Sequence, residues 1–470
     1  MVTILTDLTW LEPGKPFPPT SETVRLNQYV ENLALREGRF EAVWPDLKDY
    51  LRKGKQSKDF EFTLDYPSLI TTKTTDLIIG EPPSFCLPSE SGTNPQESLV
   101  SDLIDQTGYL ETLDALIANV DSLGDGVLKL SQNLDKSIKI MNISPAHWFP
   151  VVRRGTDEIL YHVLGFKYQE GDSSFLEVEI HGRSESGKQV IEHRLYRLNE
   201  SKVVNTNAAT LGDRLVWDNP DVKEVEENPL DEPLIFTCHN TSDGIYGKSS
   251  YKQSVKNILK KLIVRYALEN DVLDTFTRPT FFGPAKFQDL DPVTKKPVFR
   301  PGGYIGVPTG DPHSPAAVTP AALVWDAHLG ENAESKESLI RRLYDMSEMS
   351  PVLFAGNLAG MAESGTALRL RLTNTLAKCN RIKRKVDGAS RRVINAAMAL
   401  IGNPVDGLYI EWGSSLPRIP VEEAQRFALL AMTPQFAGEV GGKFLLREIG
   451  YDDDEAESIM TDPSRNGGLI

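Results

Sequence analysis

The chain has 470 residues, 40% hydrophobic and 25% charged, with a net charge of −15. This composition is ordinary for a soluble globular protein and excludes a disordered, collagen-like or multi-spanning membrane chain. A net acidic total argues against a protein that coats nucleic acid by charge, because phosphate binding is dominated by Lys and Arg.

At roughly 150 residues per domain, the length predicts two to four domains or subregions. Cys86, Cys238 and Cys379 stand far apart, so they are no disulfide framework and the site of synthesis is reducing. No CxxC or paired Cys/His spacing suggests zinc. The first residues lack a basic region followed by an apolar run, so no signal peptide is expected. No stretch of about 18 apolar residues predicts a membrane span.

In chain order, residues 20–53 read as helix, with Ser21 as cap, an apolar stripe at Val24, Leu26, Tyr29 and Leu33, and a break at Pro45. A second helix is predicted over 66–79, stopped at Gly80, and a third over 98–121. From Gly124 the period shortens to two. Residues 127–130, 138–143, 148–154, 158–168, 174–183 and 190–198 read as strands, with polar turns at QEGDS and SESGK. Helix returns over 249–276, with Ser249 as cap and Val255, Leu259, Leu262, Tyr266 and Leu273 as its stripe. Residues 279–320 hold nine prolines in 42 positions, too many for a helix or central strand, so short edge strands are expected. A helix over about 333–348 leads to SPVLFAGNLAGMAESG, a nearly neutral glycine-bearing loop. Residues 366–401 then read as one helix, about 54 Å long at 1.5 Å per residue, with Gly388 as its kink point. A strand at 408–413 and short helices near 420–432 and 441–449 close the chain.

No catalytic constellation emerges. GIYGKSSY at 244–251 lacks the first glycine of a phosphate loop, since Ser242 stands there, and reads as a helix start. Asp452, Asp453 and Asp454 read as a solvated acidic patch. HExxH and GxSxG are absent. The chain is therefore expected to be no enzyme and to need no cofactor or metal.

Two charge features stand out. Lys248, Lys252, Lys256 and Lys260 are four apart, joined by Lys261 and Arg265, with no acid from 244 to 268. On a helix they form one basic stripe, which is either a solvated face or a contact surface. Residues 366–395 carry Arg369, Arg371, Lys378, Arg381, Lys383, Arg384, Lys385, Arg391 and Arg392 against Asp387, a local charge of +8 within a remainder of −23. Contact with a polyanion and pairing with acidic surfaces of neighbouring copies are both open readings. With no aromatic in this helix, any contact with DNA is through the backbone and blind to sequence.

The order of these segments resembles the portal proteins of tailed bacteriophages. DGIYGKSSYKQSVKNILKKL is similar to the family's descending stem helix, 279–330 to its Pro-rich clip, and ESKESLIRRLYDMSEM to its returning stem helix. AGMAESGTALRLRLTNTLAKCNRIKRKV resembles the Gly-rich tunnel loop and long kinked helix. TTDLIIGEPPSF, SLGDGVLKL and AHWFPVV look like wing segments, and IPVEEAQRFALLA and GGKFLLREIGYDDDEAESI like the crown.

The resemblance implies an α+β portal fold. Its parts are a mixed wing over 1–242 (β-rich at 124–217), stem helices at 243–277 and 332–349, a clip at 278–331 and a tunnel loop at 350–365. The long helix at 366–402 and a crown and tail at 403–470 complete it. It further implies a ring, usually of twelve copies, at one capsid vertex of the virion, made in the bacterial cytoplasm without membrane association. Such a ring passes double-stranded DNA transiently and meets terminase large subunit, head–tail connector proteins, major capsid protein and scaffolding protein. Phe354, Gly356, Asn357, Gly360, Met361, Glu363, Ser364 and Gly365 would line the channel. Lys252, Lys256, Lys260, Lys261, Arg369, Arg371, Lys378, Arg381, Lys383, Arg384 and Lys385 would face the lumen or subunit seams. The alternative is a basic-helix nucleic-acid-binding adaptor or another packaging-associated protein.

Overall fold

The computed structural model describes residues 4–47, 64–88, 94–133, 135–200, 209–217, 223–241, 244–276, 280–284, 290–291, 293–294, 296, 303–307, 321–323, 329–354 and 365–413. The chain forms two compact units, residues 1–356 with 374–413, and residues 357–373 with 414–470. The predicted helices near 420–432 and 441–449 and the acidic tail lie outside the described residues.

After a short strand, β1 (Pro16–Phe17), the N-terminal region builds α1 (Thr23–Arg36) and α2 (Phe40–Val43). The break lies at Gly38, which takes φ +72°, and not at Pro45. The expected cap fails too: Glu22 holds the N-cap position, and no side chain caps the helix. The stripe is also different. Val24 is 64% exposed, whereas Arg25, Tyr29, Asn32, Ala34 and Leu35 are buried. The inward face of α1 is therefore partly polar, which apolar periodicity cannot register.

Helix α3 (Tyr66–Ile79) stops at Gly80 as its sequence predicts. A strand, β2 (Ser84–Cys86), follows. The helix expected over 98–121 is two, α4 (Pro95–Thr107) and α5 (Tyr109–Ser122), because Gly108 takes a left-handed conformation that ends one and starts the other. Asn94 caps α4 by accepting a hydrogen bond from the Gln96 amide.

The strands follow the alternation closely: β3 (Asp125–Gln132), β4 (Ile138–Ile143), β5 (Trp148–Val152), β6 (Ile159–Glu170), β7 (Ser173–Arg183), β8 (Gln189–Glu200) and β9 (Ala209–Leu215). β10 (Val225–Glu227) and β11 (Ile235–His239) complete this region. One sheet runs β1-β9-β8-β7-β6-β5, with β10 added on β8; a second runs β11-β3-β4. Gly171 (φ +58°) and Gly187 (φ +81°) turn the two central hairpins at the predicted polar loops.

Helix α6 (Gln253–Phe276) starts four residues later than Ser249, whose hydroxyl instead accepts from the Tyr251 amide and donates to the Ser122 carbonyl. The Pro-rich segment yields β12 (Thr280–Pro284), β13 (Tyr304–Val307) and β14 (Ala321–Leu323), which form a small sheet in the order β13-β12-β14. Helix α7 (Leu329–Ser347) begins inside the expected clip. Helix α8 (Gly365–Leu400) runs uninterrupted for 36 residues, and β15 (Tyr409–Glu411) pairs with β2.

The largest core explains why α8 is long. Its Cys379, Ile382, Val386, Ala389, Val393 and Ala397 pack with Leu113, Leu116 and Val120 of α5 and with Leu128 and Phe236 of the second sheet. Burial of an apolar stripe, worth about 25 cal/mol per Å², holds the helix in place.

Candidate functional site

Helices α6 and α7 form an antiparallel hairpin. Its register is set by two ion pairs, Lys252 with Glu348 at the root and Glu269 with Lys336 further out. The Lys336 ammonium also lies 4.5 Å from the Tyr266 ring centroid. The three-stranded sheet β13-β12-β14 is the connection between the two helices. At the root, Leu259 and Ile263 pack with Leu35, Phe40 and Leu47. Tyr344 stacks on Phe354, with ring centroids 4.5 Å apart, and meets Tyr66 edge-on.

This packing decides where the lysine stripe goes. Lys252 lies 2.7 Å from Glu348, Lys256 2.9 Å from Glu31 and Lys260 2.8 Å from Asp46. The side turned towards α1 and α2 is the one the apolar stripe also uses, so these lysines reach acids of the same chain. Of the four candidate stem lysines, Lys261 is the one that is exposed and has no ion pair among the described residues.

The basic window of α8 is divided in the same way. Lys378 is interior, 1% exposed, and 2.9 Å from the fully buried Asp121. Arg381 reaches Glu348 at 2.8 Å. Lys383 lies against the Trp412 ring and donates to the Gly413 carbonyl, and burial lowers the pKa of its ammonium. Arg391 pairs with Asp387, and Arg392 with Glu232. Arg369, Arg371 and Arg384 are exposed and Lys385 is half-buried. Neither reading of the window, polyanion or neighbouring copy, allowed for pairing inside the chain, and here much of the window is paired that way. Gly365 opens α8, while Gly356, Asn357, Gly360, Met361, Glu363 and Ser364 lie outside the described residues.

Glu348 ties three helices together. It ends α7 with φ +60°, a left-handed conformation that glycine usually supplies. Its carboxylate bridges Lys252, just before α6, and Arg381 of α8. These cations, acting against partial burial, hold its pKa at about 2. Next to it, the Ser350 amide donates to Thr375 Oγ1 at 2.8 Å in a buried contact. A group whose pKa falls on folding stabilises above its unfolded value near 4.5, and that contribution disappears as pH falls towards 2. Glu348→Gln should therefore lower the thermal midpoint at pH 7 and leave it less sensitive to acid between pH 5 and 3 than the parent, measured by circular dichroism. Parallel pH profiles would reject the bridge.

The buried polar networks are what sequence reading missed. Asp121 Oδ1 accepts from Ser250 Oγ at 2.6 Å as well as facing Lys378, and Oδ2 accepts from Thr71 Oγ1 at 2.8 Å. Lys378 Nζ also donates to Thr74 Oγ1 at 3.1 Å. Asp125, fully buried, is held by Tyr29, by His239 Nδ1 at 2.5 Å and by the Gly247 amide at 2.7 Å. Arg25 donates to Glu22 and to the carbonyls of Pro145 and Trp148, and lies over the rings of Tyr29, Phe149 and Tyr246. Trp148 donates to His162 Nδ1, and burial lowers the His162 pKa to about 3, so its ring is neutral. The available signal was acids in apolar surroundings, the Val-Asp-Ser end of α5 and the LGDG turn.

These networks bridge elements. No group of three potential metal ligands occurs among the described residues. Nor is any helix among them long and apolar enough to cross a membrane.

No protein-family model and no curated protein matches the chain. Among solved structures, the chain is similar to one in "Neck of native GTA particle computed with C12 symmetry", with 15% identity, a TM-score of 0.41 and coverage of 96% of both chains.

Proposed function

We propose that this chain is the subunit of a portal ring at one vertex of a phage-like capsid, enclosing a channel for double-stranded DNA. The observation that carries the proposal is the path of residues 253–400. A helix runs out, a Pro-rich segment forms a small sheet, and a second helix returns antiparallel. After a short 3-10 turn at Pro351–Leu353 and residues 355–364, the chain enters a helix of 36 residues. This is the stem, clip, stem, loop and long-helix order that the sequence resembles. In this reading the ring docks terminase large subunit and later head–tail connectors, contacts capsid and scaffolding proteins, and catalyses no step of its own.

The charge distribution supports a conduit over an adaptor that grips DNA. A basic-helix adaptor needs its lysine stripe in solvent, yet Lys256 is 9% exposed and tied to Glu31. Each phosphate neutralised tightens binding, so a conduit gains by keeping most cations paired internally. Rings require heterologous interfaces that close. Size-exclusion chromatography with light scattering and negative-stain microscopy of the full chain test the proposal. The expected particle is a ring with a central hole and a mass many times 52.2 kDa. Monomers or dimers at every concentration, with no ring on grids, would overturn it.

A further inference from the structure

We infer that Thr375 is a positioning residue for the tunnel loop. Together with Lys378 and Arg381 it forms a three-rung ladder along α8 that fixes where the chain leaves α7. Its role beside a channel rests on the portal reading, and the ladder itself on distances within one compact unit of the chain.

Glu348, Met349 and Ser350 follow α7 directly, and their partners on α8 are spaced by three. Arg381 donates to the Glu348 carboxylate at 2.8 Å. Lys378 Nζ lies 4.0 Å from Met349 Sδ, which also accepts from Thr74 Oγ1 at 3.7 Å. The Ser350 amide donates to Thr375 Oγ1 at 2.8 Å. Residue numbers rise along one chain as they fall along the other, so the segment runs antiparallel to α8. Three residues climb a helix by about 4.5 Å, and one extended residue advances by about 3.3 Å. Successive residues therefore meet successive turns of α8. Glu348, at φ +60°, directs the chain out of α7 into this track, and Ser350 is extended.

The rungs differ in what they grip. Arg381 and Glu348 are partly exposed and meet through long side chains that can swing. Lys378 and Met349 are buried, but they too meet side chain to side chain. Ser350 is held by its backbone, against the hydroxyl of a completely buried threonine fixed on a helix. That rung sets the position of the main chain itself. An amide buried there without an acceptor would carry its full desolvation cost. Directly beyond it, Pro351–Leu353 form a 3-10 turn and Phe354 stacks on Tyr344. Residues 357–373 belong to the other compact unit, whereas Ser350 and Thr375 belong to the same one. The bond between them, spanning 25 positions in sequence, thus closes the base of the segment that carries the tunnel loop.

The test uses the full chain, as rings and in assembled particles. Thr375→Val removes the acceptor, and Thr375→Ser keeps it. In Thr375→Val the Ser350 amide should exchange hydrogen at least about tenfold faster, the consequence of stranding a buried donor. That change should exceed any change at Val386 and Val393 in the α8 core. Nuclease-protected DNA per particle should fall at least about fivefold while ring mass and particle number hold. Thr375→Ser should restore both readouts. Thr373→Val, exposed two residues earlier on α8, should change neither. Parent-like exchange at Ser350 in Thr375→Val overturns the ladder. Faster exchange with full DNA content makes Thr375 a structural contact only and overturns the positioning role, as does a loss of DNA that serine leaves uncorrected. A parent chain that forms no rings overturns the portal reading and the positioning role with it, while the exchange comparison still decides the rung.

Discussion

Lys378→Met is expected to destabilise the protein by about 3–5 kcal/mol, the usual consequence of stranding one partner of a buried ion pair. Asp121 and Lys378 have side chains 0% and 1% exposed, so water cannot solvate the carboxylate left behind. Ser250 and Thr71 still donate to Asp121 in the variant, but two neutral donors do not neutralise a carboxylate. The loss should appear as a large fall in thermal midpoint and soluble yield. Asp121→Asn/Lys378→Met removes both charges at nearly constant volume and should recover a substantial part of the loss. The pair joins α5 to α8, while Thr71, Thr74 and Ser250 bring in α3 and the approach to α6. Accelerated amide exchange in all four places is the expected signature. A single variant within about 1 kcal/mol of the parent would show that the ammonium is dispensable there.

Most elements were legible because they obey local rules. Strands such as β7 alternate between polar turns, and α8 has a long 3.6-residue apolar stripe. The errors have local causes as well. Gly108 splits a continuous apolar pattern because its left-handed backbone ends a helix that periodicity alone would continue. The side chain of Glu179 lies on the predicted polar face of β7, yet it is 5% exposed, because Lys129 of β3 and His181, two residues along the same strand, pair with it. There, hydrogen bonds to His181 and Lys129 outweigh burial and hold its pKa at about 2.

The candidate site was less legible for a different reason. Lys252, Lys256 and Lys378 find their acids 96, 225 and 257 positions away in sequence. No spacing rule encodes such a partner. A run of cations is visible in sequence, but which of them remain exposed is decided only by tertiary packing.

Two glycines that look alike in sequence should respond oppositely to alanine. Gly247→Ala is expected to abolish the native fold or cost several kcal/mol, more than the roughly 1–3 kcal/mol typical of overpacking. A Cβ there would stand 1.9 Å from the Gly124 carbonyl oxygen and 2.9 Å from the Asn240 amide nitrogen. Those are backbone atoms of the β3–β11 region, held by the Asp125 network, so neither can swing aside. Gly388→Ala should instead stabilise by about 0.5–1 kcal/mol, because a Cβ there meets nothing within 4 Å and alanine restricts the unfolded chain. Gly388 is also the expected kink point of the long helix, and α8 continues as helix on both sides of it. Thermal unfolding separates the two outcomes, and ring assembly of the alanine variant adds a functional readout. A stabilised Gly388→Ala chain that still forms rings and passes DNA would show that α8 acts as a rigid strut. A stabilised chain that forms rings and blocks DNA would make Gly388 a working hinge, with conformational freedom kept at the expense of stability.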